Sequence, residues 1–388
     1  MSTVNEKILD SYIRHQTHVL RYAGGLRNKY LKILKGSESG VETALLRYIT
    51  RVEGRGLYLA GNKELTAKLE AALLEARSPA WRAIYKDLQE EMKAFALAEV
   101  TNTTATIEGA VPVVIGLTSP PISQLNKIVN SQPFQGKTLK GWVNATASAD
   151  VQRMLNAAKV GISQGQTPTV IARNIIGDGV ASTNKSIMRK SFNDTEAVLL
   201  TLTNGIQQEA KQALYAENAD IIKKEIFVAT LDARTTLICA SNDGKVFKSG
   251  EGAMPPLHFR CRSTRVPYFD QELIGNRPFN PTTEKELLKE FALQANIKPV
   301  PASVGGLPRG TKGKFNDFSR KRTRELVGSV PSITTYNEWL KGQSAGFQDD
   351  VLGPTRADIF RRGDIHLDKF VARDGDTFTL AELEKKGF

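Results

Sequence analysis

Both cysteines of the chain, Cys239 and Cys261, fall within the stretch LDARTTLICASNDGKVFKSGEGAMPPLHFRCRS, together with His258, one of only four histidines. Thiolate and imidazole are the donors zinc prefers. His258-x-x-Cys261 is spaced to clamp one side of an ion, with Cys239 reaching across from the preceding turn. Three donors leave a tetrahedral site one short. Asp243 and Asp232 are the nearest candidates for the fourth, and an open fourth position would suit a catalytic water. The competing reading is structural: two reduced, half-buried cysteines with a histidine capping a loop. A cysteine nucleophile with a histidine base ranks below both, because nothing in the stretch reads as an oxyanion hole. His15, His18 and His366 lie far away in sequence, and the first two sit at helix-face positions.

The residues around the cluster have structural uses. Asp232 and Arg234 can pair or cap across a tight turn, and Arg262 is placed to balance Asp243. Pro255 and Pro256 fix an extended approach to His258. Asn242-Asp243-Gly244 is a hairpin-type turn, and Ile226 to Val228 supply a short strand leading into it. These features describe a small, cross-linked, β-rich knob.

The elements that must carry the knob are helical. Ile8, Leu9, Tyr12, Ile13, Val19, Leu20, Leu26, Tyr30 and Leu34 recur at three- and four-residue intervals, with Gly24 and Gly25 expected to interrupt them. Leu65, Leu69, Leu73 and Leu74 repeat the period, and Ser78-Pro79 reads as the capped start of a further helix. From Thr101 the composition turns to Thr, Val, Gly and Pro, which predicts an extended connector. Helical periodicity returns from Ala145. Thr167-Pro168 caps a helix that Gly177 and Gly179 stop, and Asn193 or Asp194 is the expected cap of a long helix after it. After Asp270 the chain is rich in Pro, Gly and Lys. A last module has helices around Trp339 and through Leu380 and Leu383, with a turn at Gly353-Pro354. The expected architecture is α+β and predominantly helical. A helical N-terminal arm and connector span 1–118, and a helical core ending in the knob spans 119–270. A flexible basic linker follows over 271–330, then a short C-terminal module over 331–388.

The chain carries 53 basic against 41 acidic side chains, a net charge of +12. That surplus biases it toward polyanions, above all nucleic acid. The segment Arg309–Arg324 holds seven basic residues and one acidic. Lys312, Lys314, Arg320, Lys321, Arg322 and Arg324 are the expected contacts to double-stranded DNA, non-specific because no aromatic stacking platform shows in the sequence. Two cysteines exclude a disulfide framework. No apolar run approaches the roughly 18 residues of a membrane span. The polar N-terminus does not read as a secretory signal, which fits synthesis in a cytoplasm.

The stretch DARTTLICASNDGKVF…MPPLHFRCRS resembles the signature of the phage head morphogenesis family, the minor capsid proteins similar to protein F of phage Mu. The match runs through Asp232, Arg234, Thr235, Cys239, Asp243, Gly244, Pro255, Pro256, His258, Cys261 and Arg262. Upstream, Trp142, Gly165, Thr195 and Glu196 stand where that family has recurrent Trp, Gly and Thr-Glu positions, so the resemblance covers roughly residues 120 to 270. EWLKGQ…FQDDVLGPTR, further on, is similar to the tail module of some phage members. Many relatives have cysteines where Thr236 and Ser263 stand, so bound zinc is optional in what the resemblance implies here. It implies a virion component made in the host cytoplasm, present in few copies, and associated with the portal protein, other head proteins and packaged DNA. The rival reading is a metal-dependent nuclease or other hydrolase built on Cys239, His258 and Cys261 with Asp232 or Asp243.

Overall fold

The computed structural model describes residues 3–53, 63–113, 115–177, 186–269, 275–363, 365–372 and 374–388. Seven helices form the larger part: α1 (Val4–Lys35), α2 (Glu38–Glu53), α3 (Lys63–Ala110), α4 (Ile122–Ser131), α5 (Leu139–Ser163), α6 (Pro168–Ile176) and α7 (Ile187–Glu217). The apolar stripe foreseen on α1 is buried from Ile8 to Leu34 and packs on α3 and α7. One hydrophobic core runs from Ile8 through Leu155 and Leu202 to Val266. The N-terminal helices therefore belong to the same packed body as the helices after residue 119, and the expected division at 118 has no counterpart in the packing. A buried ion pair helps fix the bundle. Arg77 bonds Asp150 at 2.6 Å and the Leu34 carbonyl at 2.7 Å, while Trp81 donates to Asp150 at 3.1 Å.

Three predicted breaks are absent, for one reason. Gly24 and Gly25 lie inside α1, and α3 runs through Pro79 and through Thr101 to Ala110. A helical glycine costs about 1 kcal/mol and a proline about 3. The buried stripe outweighs these costs: it continues without interruption through Leu73, Arg77, Ala80, Trp81 and Ile84, and later through Thr103, Ile107 and Ala110. The long helix α7 starts earlier than expected, because Ser186 rather than Asn193 or Asp194 caps it. Gly177, at φ 108°, ends α6 as foreseen, whereas Gly179 lies outside the described residues.

The knob follows as β1 (Lys224–Val228), β2 (Leu231–Asp232), α8 (Leu237–Ala240), β3 (Val246–Lys248) and β4 (Thr264–Pro267). β1 is the central strand of an antiparallel sheet ordered β3-β1-β4, with Ile226 opposite both Val246 and Val266. The sheet is stitched to the start of the chain. Asn5 donates its side-chain amide to the Phe269 carbonyl at 2.6 Å and accepts from the Phe269 amide at 3.0 Å, as a paired backbone would.

The remaining elements are β5 (Asn276–Asn280), α9 (Glu284–Gln294), a 3-10 turn at Val304–Gly306, α10 (Lys312–Glu325), β6 (Gly328–Pro331), α11 (Tyr336–Lys341), α12 (Ala345–Leu352), α13 (Pro354–Arg362), a 3-10 turn at Leu367–Phe370 and α14 (Leu380–Lys385). A second sheet, ordered β2-β5-β6, pairs β2 from the knob in parallel with β5. The stretch expected to be a flexible linker is folded over its described residues. Leu287, Leu288 and Phe291 of α9 bury against Phe315 of α10 and Leu307. The sequence hides this because its Pro, Gly and Lys content masks five apolar residues that meet only in three dimensions. The C-terminal helices have their own core of Tyr336, Trp339, Leu340, Phe347, Phe360 and Phe370, which also takes in Leu231 and Ala240 of the knob.

Candidate functional site: a Cys, His, Cys cluster in the knob

α7 lays the foundation of the site. Its Asn204 amide donates to the Cys261 carbonyl at 2.9 Å, and its Thr201 hydroxyl accepts from the Arg260 amide at 3.0 Å. Arg260 is held at φ 60°, a backbone conformation costly for a side chain with a Cβ. The reversal lets the Cys261 amide reach back to the His258 carbonyl at 3.2 Å, turning both side chains to one side. Cys239 arrives from α8. Its Sγ lies 3.3 Å from His258 Nε2 and 3.7 Å from Cys261 Sγ, and both cysteines are 1% exposed.

The electrostatics follow from this crowding. Hydrogen bonding to Cys261, reinforced by burial, pushes the Cys239 thiol far up, so it keeps its proton. The bond from Cys239, opposed by burial and helped by His258, holds Cys261 well below the usual thiol range. Burial lowers His258, but its bond to Cys261 outweighs that and leaves it raised. His258 Nδ1 lies 2.7 Å from the Phe259 carbonyl. A carbonyl only accepts, so Nδ1 carries a proton and Nε2 faces the sulfurs. Imidazoles that bind metal through Nε2 are oriented in this way.

A tetrahedral zinc with bonds of about 2.3 Å to sulfur and 2.0 Å to nitrogen requires S···S near 3.8 Å and S···N near 3.5 Å. The observed 3.7 and 3.3 Å are close to two edges of that tetrahedron, and all three donor atoms lie within 4.8 Å of one another. The three residues fit a thiophilic divalent cation.

Asp243, expected as a fourth donor, is not one. Its carboxylate accepts from the Ala229 amide at 2.7 Å, from the Tyr336 amide at 2.7 Å and from Arg277 at 2.9 Å. Arg262 does not balance it, as the sequence suggested, but binds Asp232 through two bonds of 2.6 and 2.7 Å. Arg277, 34 residues beyond Asp243, carried no signal of this role. Asp232 caps its turn and pairs with Arg234 as foreseen, accepting from the Arg234 amide at 3.0 Å and from its guanidinium at 3.4 Å, and the Thr235 hydroxyl adds a bond of 3.3 Å that the sequence did not suggest. The Arg234 guanidinium itself is 80% exposed. Burial raises Asp232, yet Arg262 outweighs it and holds the carboxyl below the usual range. Gly244 sits at φ 80°, where an added Cβ would meet Thr335 at 2.7 Å. Pro255-Pro256 is a cis bond, and the Pro256 carbonyl accepts from Gln135 at 2.7 Å.

Thr236 and Ser263, standing where many relatives of the resembled family have cysteine, place hydroxyls beside the Cys239 sulfur and favour its thiolate. The buried Thr236 hydroxyl makes no regular hydrogen bond.

Two further surfaces are basic or aromatic. Of the expected DNA contacts, Lys314, Arg320, Lys321 and Arg324 are exposed on α10, while Lys312 and Arg322 are half-buried. Arg320 pairs with Asp317 and Arg322 with Glu290, whereas Lys314 and Arg324 have no ion pair among the described residues. The structure also supplies an aromatic group that the sequence did not reveal. Phe259, 42% exposed, stands edge-on to Trp142 at 5.1 Å, with Lys137 over the Trp142 ring at 4.7 Å. They lie 117 positions apart in the chain (259 − 142), so spacing gave no hint.

Comparisons of the chain with family models, with curated proteins and with solved structures gave no match. The resemblance to head morphogenesis proteins therefore rests on the motif residues themselves.

Proposed function

We propose that this chain is a structural protein of a tailed-phage head, a minor virion component that joins the portal vertex to other head proteins and touches packaged double-stranded DNA. The observation that carries the reading is how the signature carboxylates are used. Asp232 is bound by Arg262, and Asp243 by Arg277, Ala229 and Tyr336, so both tie segments of the fold together. A cleft of about 710 Å³ borders Asp232, Arg234, Glu284, Lys285 and Asp350. Asp350 is taken up by Lys285 and Thr283. A hydrolase needs an available base beside its metal, and neither Asp232 nor Asp243 is free to serve. Among the described residues no helix is long and apolar enough to cross a membrane.

DNA contact is assigned to the exposed face of α10. Replacing Lys314, Arg320, Lys321 and Arg324 with Gln should weaken binding to any duplex alike, and should lower the slope of log K against log salt by up to about four charges' worth. An unchanged slope removes α10 from the interface. The wider reading is tested by fractionating particles assembled with the full chain. It should sediment with heads in few copies and co-purify with portal protein. Recovery only as free protein, or Cys261-dependent nicking of a plasmid, would overturn it.

A further inference from the structure

α8 is a single helical turn with two occupied sides. Cys239 points into the cluster with Phe227, Ala229 and Cys261. Ala240 is buried in the C-terminal core beside Tyr336, Trp339 and Phe370, with Leu237 packed on the same core. Ile238 reaches so close to the C-terminal segment that a Cβ at Gly375 would lie 2.5 Å from it. A four-residue helix does not hold itself together, because forming one turn fixes several dihedrals for little hydrogen bonding. Thr236, at its N-cap, makes no capping bond. The position of α8 is therefore set from outside, by what the Cys239 sulfur binds on one side and by the C-terminal core on the other.

We propose that Cys239, His258 and Cys261 form a three-donor site for a thiophilic divalent cation such as Zn(II), and that the bound cation pins α8 and so fixes the C-terminal segment, residues 336–385, against the knob. Two thiolates balance the charge of such an ion. Whatever proton each sulfur still carries leaves on binding, and the fourth position is left to a non-protein ligand, because Asp243 and Asp232 are bound elsewhere. The Tyr336 bonds to the Asp232 carbonyl and Asp243 carboxylate, and the core that Leu231 and Ala240 share with Trp339 and Phe370, join the same two parts, so pinning α8 steadies an interface already built. The inference stands apart from the head-protein reading: it concerns the isolated chain and needs neither portal nor DNA.

The test uses the full chain under reductant, stripped with a chelator and then titrated with Zn(II), with Co(II) as a spectroscopic probe of thiolate ligation. One equivalent should bind, with a sulfur-to-cobalt charge-transfer band that Cys261→Ser abolishes. With free zinc at about 100 times Kd, openings that break the site become about 100-fold rarer. Hydrogen exchange in α8 and residues 336–385 should slow by up to that factor, while amides of α1 to α6 that open locally stay unchanged. Failure of the wild-type chain to bind one equivalent overturns the site. Binding that leaves exchange in 336–385 unaltered overturns the coupling. Where Cys261→Ser fails to fold, His258→Asn takes its place, and the comparison of stripped and loaded wild-type protein decides alone.

Discussion

Within 33 residues the knob carries two constellations of opposite character. The carboxylates of Asp232 and Asp243 are saturated: each accepts from an arginine and at least two other groups, Asp243 from three different segments and Asp232 from its own turn and from Arg262. The donors of Cys239, His258 and Cys261 face mainly one another, with no fourth side chain completing them among the described residues. Both sets stand in the same signature, so sequence alone ranks them together as chemistry. The structure separates them. The acids are architecture, and what remains available for binding is sulfur and nitrogen.

The contrast is broken most severely at Asp243. Asp243→Ala strands Arg277 and the Tyr336 and Ala229 amides in a buried setting, and should cost about 3–5 kcal/mol. Urea unfolding measures it, and a loss under about 1 kcal/mol would return Asp243 to the list of groups free for other work. Asp232 gives a milder test through pH. Its folded carboxyl is held below the usual value near 3.9, so its contribution is fully present above that value and is lost as pH falls through the lower folded value. The loss should be about 1.5–3 kcal/mol, the worth of hydrogen bonds to a charged group. Thermal melts between pH 5 and about 2, compared with Asp232→Asn, read it, and parallel curves would mean that Arg262 holds nothing.

A third comparison sharpens the rule in the helical body. Lys211 is fully buried, bonded to Thr264 at 3.0 Å and set over the Tyr12 ring, and burial pushes its ammonium down to about 8 despite Glu99 and Glu225. The unfolded chain binds this proton more tightly, with a value near 10.4, so stability from this group rises as pH climbs from about 8 toward 10.4. Lys211→Met should flatten that rise. A slope that persists in the variant assigns it to another group.

Much of the architecture was legible because it is periodic. The α1 stripe, β1 at Ile226 to Val228, the Gly353-Pro354 turn and the helix through Leu383 all follow from local pattern. The misplaced breaks at Gly24, Pro79 and Thr101 share a cause: local propensity was outvoted by a buried face that sequence periodicity alone underrates. The convergence of Cys239, His258 and Cys261 was readable from residue type. The partners of Asp243 were not, because Arg277 and Tyr336 come from a strand and a helix whose approach depends on tertiary packing. The α9–α10 pair was missed for a similar reason, since Phe291 and Phe315 lie on either side of a Pro- and Gly-rich stretch.

The amide of Asn5 that completes the edge of the knob at Phe269 sets an order on how the molecule comes into being. The two residues are 264 positions apart, so at typical rates of about 5–20 residues per second the first helix leaves the ribosome roughly 13 to 50 seconds before its partner exists. For the earlier part of that interval, until α7 at Ile187–Glu217 has been made, the apolar side of α1 that later meets it is uncovered and must be kept from other greasy surfaces.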